Sequence, residues 1–297
     1  MNRNFGHPMC TILLFSVLLS PAISLSSEYA TTTRTIPRLH FPSTLLSPSC
    51  NVLVPEERRE YVQRVLRLGP GRKKKSWLRG FNAASGEWLL EFLSPDELIV
   101  RSQIRGPCKQ SPTTKLDVLF VPIRPSRQRT LLEKCVELNV NSFTSCSSDL
   151  SQNDYTEAAS RWGRIIVEAT EQSERLHAPP YSVASVKVKE FVSDWLNRSS
   201  LEETLLICRA RSDKALSISQ FFAKSKPKPT TSVTLLVGPE GGWSPEEECY
   251  FDEISPPSSE RICSVSLGRN VLRSETACIA AVAVAQEQLQ IMERESE

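Results

Sequence analysis

The sequence lacks several features that would assign a chain to a class at once. Its nine cysteines are scattered singly, without the paired spacing of a zinc site. The apolar run from Ile12 to Leu19 is shorter than the roughly 20 residues that a bilayer span needs. The net charge is only +2, so any nucleic-acid surface must be local. The sequence therefore predicts neither a metal centre nor a membrane protein.

Two common nucleotide-binding motifs are also missing. The glycine-rich stretch Gly238 to Gly242 is not followed by the Gly-Lys-Ser/Thr of a P-loop. It lies near the end of the chain and lacks the Gly-x-Gly-x-x-Gly order of a Rossmann-type site. Glu240 inside the turn would repel a phosphate. These absences disfavour P-loop proteins and Rossmann-type dehydrogenases and methyltransferases.

The composition is that of an ordinary soluble globular protein. The chain has 297 residues, of which 40% are hydrophobic and 24% charged, enough for two domains and a substantial core. Isolated cysteines are typical of small buried hydrophobic side chains, and an odd, scattered set favours a reducing compartment.

Residues 1 to 36 do not have the pattern of a folded domain. The apolar run follows Arg3 and precedes small residues, as in a secretory signal. The wider segment holds Arg3, Arg34 and many Ser and Thr, with Glu28 as its only acid, as in an organelle transit peptide. Composition alone leaves both interpretations open.

Two successive strand-turn-helix units near the C-terminus organise the chain. In the first, Val233 to Val237 is typical of a buried strand, and Gly238 to Gly242 supplies a sharp turn. Ser244 is a suitable N-cap, Pro245 takes the first helical position, and Glu247 follows three residues past the cap. The pattern predicts a loop that a bound molecule can approach closely; an ordinary strand-to-helix turn is the alternative.

The second unit repeats this arrangement. Ile262 to Leu267 is a strand candidate, Gly268 is the turn, and Ser274 can cap a helix. The helix that follows is apolar nearly all round from Thr276 to Ala285. It is therefore expected to be buried, in the core or against another subunit.

Strands and helices alternate beyond a Pro/Ser/Thr-rich linker at Gly106 to Thr114. The alternation predicts an open α/β sheet, mostly parallel, with ligands bound beyond the carboxyl ends of its strands. The predicted strands before the first unit are Leu116–Val121 and Thr204–Cys208, and the predicted helices are Ser126–Asn139, Tyr155–Gln172, Lys187–Leu196 and Lys214–Phe222.

The segment before the linker has a different pattern. A helix is predicted from Pro55 to Leu68, and short strands separated by turn residues predict a small β-barrel. A basic run, Arg72 to Lys75, is followed by Trp77, which suits contact with an RNA backbone plus stacking. A solvated basic surface is the alternative. The predicted strands are Trp77–Arg79, Glu87–Phe92 and Leu98–Val100.

The two glycine-containing stretches together resemble the small-subunit ribosomal RNA uridine-N3 methyltransferase family, within the SPOUT superfamily. The resemblance rests on Gly238-Pro239-Glu240-Gly241-Gly242 paired with Leu267-Gly268-x-x-Val271-Leu272-Arg273-x-Glu275-Thr276-Ala277. Glu168 to Arg175 resembles a further family signature, and the likeness extends back to about Arg38. It implies S-adenosylmethionine-dependent methylation of N3 of a uridine in small-subunit ribosomal RNA, and a homodimer.

The resemblance also implies a domain order. The expected segments are a targeting segment at 1–36, a PUA-like RNA-binding β-barrel at 37–108, a linker at 109–114 and a knotted SPOUT methyltransferase domain at 115–297. The family's substrate is bacterial-type ribosomal RNA, which occurs in plastids and mitochondria. The chloroplast is therefore favoured, with the mitochondrion as alternative and secretion less expected.

The same resemblance implies site residues. Arg273 is the expected catalytic residue, as a cation near the uracil oxygens or a flanking phosphate. The expected cofactor contacts are Leu206, Ile207, Cys208, Gly238, Pro239, Glu240, Gly241, Gly242, Leu267, Gly268, Val271 and Leu272. The expected RNA contacts are Arg38, Arg64, Arg67, Arg72, Lys73, Lys74, Lys75, Gln172, Arg175 and Arg269.

Some of these assignments have structural alternatives. Glu168, Gln172 and Arg175 lie three or four residues apart on one helix face, so they can equally form a structural network. Two other functions also stay open: an RNA-binding or ribosome-assembly factor that has lost methyl transfer, and a secreted α/β protein that binds a small molecule or nucleotide.

Overall fold

The computed structural model of the chain describes residues 35–71, 76–107, 114–151, 159–200, 202–210, 215–225, 232–256, 259 and 261–296. The basic run 72–75 and nearly all of the predicted targeting segment and linker lie outside these residues. Pro37–Glu297 form one compact unit that contains two sheets. In the described part of the chain, no helix combines the length and the apolar character needed to cross a bilayer.

The N-terminal sheet has five strands in the order β1-β3-β4-β5-β2. Its strands are β1 (Arg38–His40), β2 (Asn51–Leu53), β3 (Trp77–Asn82), β4 (Gly86–Phe92) and β5 (Glu97–Arg105). β1 pairs parallel with β3, and the other pairs are antiparallel. The three predicted strands are confirmed, and the sheet fits the PUA-like domain that the resemblance implies. The sequence did not reveal β1 and β2, because three residues are too few to show an alternating pattern.

The single helix predicted from Pro55 to Leu68 is wrong in type. The chain forms a 3₁₀ turn at Glu56–Arg58 and a π-helical turn at Tyr61–Val65. The Leu66 N–H donates to the carbonyl of Tyr61, five residues back, at 3.0 Å. Arg67 then takes a left-handed conformation with φ 54°, which ends the helical turn and lets Leu68 reach the core.

The C-terminal sheet has seven strands in the order β10-β12-β9-β11-β6-β7-β8, and every pair is parallel. Its strands are β6 (Lys115–Phe120), β7 (Ser142–Ser147), β8 (Tyr181–Lys187), β9 (Glu203–Cys208), β10 (Leu216–Ser217), β11 (Ser232–Val237) and β12 (Ile262–Ser266). The predicted α/β class with a mostly parallel sheet is confirmed; the trefoil knot stays a prediction. β7 and β8 were not predicted; they lie at one side of the sheet and are rich in serine.

Among the described residues, six helices flank this sheet. They are α1 (Pro125–Glu137), α2 (Trp162–Gln172), α3 (Val188–Arg198), α4 (Ile218–Ser225), α5 (Pro245–Ile254) and α6 (Ser274–Ser296). The predictions for α1 and α3 are confirmed to within two residues at each end. The described half of the predicted Tyr155–Gln172 helix is α2. The helix predicted from Lys214 instead begins at Ile218, because Leu216 and Ser217 pair with β12.

The helices cover both faces of the sheet, because successive residues of each strand point to opposite sides. In β6, Val118 belongs to a hydrophobic cluster with residues of α1, α2, α4 and α6, whereas Leu119 belongs to a second cluster with residues of α3 and α5. The buried face of α6 consists of residues spaced three or four apart, which turns its nearly uniform apolar sequence into a one-sided contact. These residues are Cys278, Ala281, Val282, Ala285 and Leu289.

Candidate functional site

A cavity of about 390 Å³ lies where the carboxyl ends of three neighbouring parallel strands, β9, β11 and β12, meet. It is lined by residues 208–210 after β9, residues 237–243 after β11, residues of the segment 267–277 after β12, and Glu248 of α5. Open α/β sheets bind ligands at this edge, and the cavity has the size of a small-molecule site. The two strand-turn-helix units therefore meet at one site, as expected from the sequence.

The loop after β11 depends on two glycines and a tryptophan, and we call residues 238–242 the glycine-rich loop. A Cβ on Gly238 would lie 2.9 Å from the ring of Trp243, so any other residue would displace that buried ring. Gly242 has φ 76°, and its N–H closes a turn on the Pro239 carbonyl at 3.0 Å. The Trp243 indole N–H donates to the Cys208 carbonyl at 3.1 Å, which joins the ends of β9 and β11.

The helix that follows this loop begins with a capping box, and the predicted cap is confirmed. The Glu247 N–H donates to Ser244 Oγ at 3.1 Å, and the Ser244 N–H donates to Glu247 Oε2 at 2.8 Å. Glu247 also accepts the Asp149 N–H at 2.9 Å. The cap therefore fixes both the start of α5 and the segment after β7 beside the glycine-rich loop.

The loop after β12 is tied directly to the glycine-rich loop. Ser274 Oγ donates to the Gly238 carbonyl at 2.6 Å, across 36 residues of sequence. The prediction that Ser274 caps α6 is wrong: Ser274 is the first residue of the helix, and the Arg273 carbonyl accepts the Ala277 N–H at 2.8 Å. The Ser274 side chain is free to hold the other loop because the cap position is one residue earlier.

Among the described residues that line the cavity, three are charged: Arg209, Glu240 and Glu248. Arg209 forms ion pairs with Glu248 and, at 2.5 Å, with Asp252. Glu240 pairs with Arg127 of α1 at 2.6 Å. Both acids in the lining therefore have an arginine partner, and most of the remaining surface is backbone and apolar side chain.

The sequence-predicted cofactor residues fall into two groups. Cys208 and all nine predicted residues of the two loops line the cavity. Leu206 and Ile207 do not: they are fully buried inside β9 and pack on opposite faces of the sheet. Only the end of a central strand reaches the ligand edge, so the assignment to these two residues is corrected to Cys208 and the residues after it.

Several lining residues were not predicted. Trp243 could have been found, because it follows the glycines directly and an aromatic there has a structural use. Arg209 and Glu248 gave no signal, since a charged residue just after a strand or inside a helix is common. The remaining unpredicted lining residues are Ala210, Val237, Asn270, Ser274 and Ala277.

Arg273 and Arg269 are exposed residues of the loop after β12, on either side of cavity-lining residues. Neither side chain belongs to the lining. Val271 between them is 58% exposed although it lines the cavity. The mouth of the cavity is therefore bordered by two cations and an exposed apolar side chain.

Arg38, predicted to contact RNA, is instead buried where the two sheets meet, and that prediction is wrong. Its guanidinium pairs with Glu87 at 2.8 Å and donates to the Glu171 carbonyl at 2.8 Å and the Arg175 carbonyl at 3.0 Å. These carbonyls lie at the C-terminal end of α2, where a cation is favourable. Arg38 thus attaches the N-terminal sheet to α2.

Glu171 is the centre of this contact on the α2 side. Its carboxylate pairs with Arg58 at 2.6 Å and accepts the His40 N–H at 3.2 Å. Burial raises the pKa of Glu171 to about 7, although Arg58 acts in the opposite direction. We call the whole charged contact the sheet junction; its members are Arg38, Arg58, Arg79, Arg105, Glu87, Glu171 and Glu174.

The other predicted RNA contacts divide by exposure. Arg175 is partly buried and donates to the Val136 carbonyl at 2.8 Å, and burial lowers its pKa to about 10. Its contact is structural, but Arg175 lies beyond the end of α2 and outside the predicted network on one helix face. Gln172, Arg64 and Arg67 are exposed. The basic run 72–75 lies outside the described residues. Within the described ranges, no group of three or more His, Cys, Asp or Glu is placed to hold a metal ion.

Comparison with known proteins agrees with this site. A family model described as RNA methyltransferase domain matches residues 109–286. A Ribosomal RNA small subunit methyltransferase E of Rickettsia conorii is 28% identical over 83% of this chain and 93% of its own length. The protein of the same name from Synechocystis is 28% identical over 75% of this chain and 68% of its own length.

Solved structures share the fold. A Ribosomal RNA small subunit methyltransferase E from Neisseria gonorrhoeae, bound to S-adenosyl methionine, has a TM-score of 0.67 and 24% identity, covering 85% of this chain and 97% of that one. A methyltransferase from Legionella pneumophila in complex with the same cofactor has a TM-score of 0.67 and 23% identity, over 85% and 97% of the two chains.

Proposed function

The chain belongs to the RNA methyltransferase domain family, and we propose that it transfers a methyl group from S-adenosylmethionine to N3 of a uridine in small-subunit ribosomal RNA. The observation that carries the proposal is the cavity itself. Two glycine-containing loops, joined by the Ser274 to Gly238 hydrogen bond, form it at the ligand edge of a parallel sheet. Relatives named as small-subunit ribosomal RNA methyltransferases match most of the chain.

The residues present fit the proposed cofactor. The cavity volume of about 390 Å³ is within the usual range for a small ligand. Leu267, Val271 and Leu272 offer apolar contact for an adenine, and backbone groups of the glycine-rich loop offer hydrogen bonds at close approach. Glu240 is an acidic residue of the lining, which suits a positively charged sulfonium or ribose hydroxyls better than a phosphate.

Methyl transfer depends mainly on how the site positions the methyl donor and the uridine. S-adenosylmethionine supplies an electrophilic methyl group when it is bound. The uridine must lose its N3 proton as the methyl arrives, so the site has to stabilise negative charge on the uracil. Arg273, exposed at the cavity mouth, is the residue we assign to that role. Ser274, next to it, holds the two loops in place, which fixes the approach geometry.

The substrate side of the proposal is a local basic surface. The base must be unpaired or flipped out to enter the cavity. Arg269 at the mouth, Arg64 in the π-helical turn and Arg67 just after that turn are exposed cations that can contact phosphates. With a net charge of only +2, binding through local basic residues suits docking on an assembled ribosomal subunit.

Three further parts of the proposal concern the context of the enzyme. We propose a domain boundary within the linker at 109–114, a homodimer as in the superfamily, and residues 1–36 as a chloroplast transit peptide. Sedimentation of the purified protein tests the dimer. Sequencing the mature N-terminus, with localisation of a tagged full chain, separates plastid import from mitochondrial import and secretion.

One experiment tests the function. We expect the purified chain to bind S-adenosylmethionine by calorimetry, and 3-methyluridine to disappear from organelle small-subunit ribosomal RNA when the gene is removed. Re-expression of the unaltered chain should restore the modification, whereas Arg273→Ala should not, with cofactor binding unchanged. Absence of cofactor binding would favour an assembly factor, and an unchanged methylation map would refute the proposed substrate.

A further inference from the structure

Arg127 of α1 forms ion pairs with the glycine-rich loop and with the start of α6. Arg127 Nη1 of α1 lies 2.6 Å from Glu240 Oε1 in the glycine-rich loop, and its Nε lies 3.7 Å from Glu275 Oε1 in the first turn of α6. The three side chains are 30%, 23% and 13% exposed, in that order. Such partly shielded pairs are stronger than those on an open surface.

Glu240 is the member of this group that lines the cavity, and Arg127 is not in the lining. Glu240 therefore lies between the cavity and Arg127, and its negative charge is compensated by a cation outside the lining. Elsewhere in the lining, Arg209 compensates Glu248, and there both partners belong to the lining. Arg127 is thus placed to set the net charge of the cavity without touching its contents.

We propose that Arg127 is a positioning residue that determines how strongly the cavity distinguishes a sulfonium from a thioether. The inference rests on the proposed function, in which the cavity accepts S-adenosylmethionine and releases S-adenosylhomocysteine. These two ligands differ by one methyl group and by the positive charge on sulfur. An uncompensated Glu240 carboxylate would favour the sulfonium, and Arg127 limits that preference.

By limiting the preference for the sulfonium, Arg127 would also affect the rate of methyl transfer. The positive charge on sulfur is lost as the methyl group leaves, so an uncompensated carboxylate stabilises the bound substrate more than the transition state. Interactions of that kind raise the barrier to the chemical step. By neutralising Glu240, Arg127 lets the glycine-rich loop hold its ligand without this cost, and it keeps the loop against α1 at the same time.

A merely structural role for Arg127 predicts a different result. If Arg127 only anchored the loop, its removal would weaken both ligands by the same factor. The ratio of the two dissociation constants, thioether over sulfonium, therefore separates the two roles and needs no RNA substrate.

The experiment is calorimetric titration of the full chain with each ligand. For Arg127→Met we expect the ratio to rise by about threefold to tenfold, because one negative charge in a residue of the lining is unmasked. Glu240→Gln should lower the ratio by a similar factor, and the double variant should return it close to the wild-type value. Arg127→Lys keeps the charge and should leave the ratio near that of the wild type.

Arg129→Met is the matched control. Arg129 lies two residues further along α1 and pairs with Glu133 and Glu168, neither of which lines the cavity. Its removal should not change the ratio. If Arg127→Met weakens both ligands beyond detection, the Glu240→Gln ratio decides.

Different results would refute the proposed function and the proposed role of Arg127. If the wild-type chain binds neither ligand, the proposed function is refuted and this inference with it. If the wild type binds both, and the ratio stays constant in Arg127→Met and Glu240→Gln, the cofactor assignment stands and the role of Arg127 is overturned.

Discussion

The cavity and the sheet junction both bring distant segments together, but they do so with different chemistry. In the cavity, the hydrogen bonds between strand ends run from a side chain to a backbone carbonyl: Ser274 and Trp243 each donate to a carbonyl at the end of another strand. In the sheet junction, ion pairs between arginines and carboxylates predominate, and Arg38 also donates to carbonyls in and after α2. A ligand site needs close backbone approach, whereas a permanent contact between a sheet and a helix can be filled with long side chains.

The difference has an energetic consequence. Glu87 is 4% exposed and touches Arg38, Arg79 and Arg105, so removal of one partner leaves a buried charge poorly compensated. The hydrogen bonds of the cavity are each worth about 1 kcal/mol net. We therefore expect the junction to govern stability and the cavity to govern ligand binding.

The largest expected effect is at the junction. Arg38→Met should lower the free energy of unfolding by about 3 kcal/mol, since Glu87 loses one buried partner and three carbonyls lose a donor. Urea denaturation measures this. Arg64→Met, at an exposed pair with Glu60, is the control and should cost less than about 0.5 kcal/mol. Equal losses in the two variants would remove the distinction between junction and surface.

At Gly238, in the cavity, we expect a substitution to weaken ligand binding as well as stability. Gly238→Ala places a Cβ 2.9 Å from the buried Trp243 ring, so the ring and loop must shift. We expect a loss of about 2 kcal/mol in the free energy of unfolding, as for an overpacked core, and at least tenfold weaker S-adenosylmethionine binding. Gly69→Ala, where a new Cβ meets nothing within 4 Å, is the control. Unchanged cofactor affinity in Gly238→Ala would contradict the assignment of this loop.

The junction should also be sensitive to pH. Because burial raises the pKa of Glu171 from 4.5 to about 7, its contribution to stability is complete below pH 4.5 and is lost as the pH rises towards 7. The stability of the wild type relative to Glu171→Gln should fall on the order of 2 kcal/mol between pH 5 and about 7.5. Urea titrations at both pH values measure it, and a constant difference would show that Glu171 stays ionised in the folded state.

The smallest effect is expected for a substitution of Trp243, which joins two strand ends at the cavity. Trp243→Phe keeps an aromatic ring against Gly238 but removes the N–H that donates to the Cys208 carbonyl. We expect about 1 kcal/mol less stability and a few-fold weaker cofactor binding. Thermal unfolding with and without S-adenosylmethionine separates the loss of stability from the loss of cofactor affinity. A stability loss as large as that of Arg38→Met would mean that the cavity, too, holds the fold together.

The features that sequence reasoning found are those that short segments encode. The capping box at Ser244, the strands before both loops and the helix at Pro125 follow from caps, turn residues and apolar patterns within about 15 residues. The π-helical turn at Tyr61–Val65 and the serine-rich β7 were not found, because each depends on packing against other segments rather than on local preference.

The sequence by itself determined the two glycine loops and the parallel α/β class, because backbone conformation at glycine and at helix starts is a local property. Only the tertiary structure decided which arginines are available to RNA. Arg38 and Arg64 are indistinguishable as letters in a sequence, yet one is buried against carbonyls more than 130 residues away and the other is exposed. The free energy of a charged side chain depends on what surrounds it in space, and the fold alone sets those surroundings.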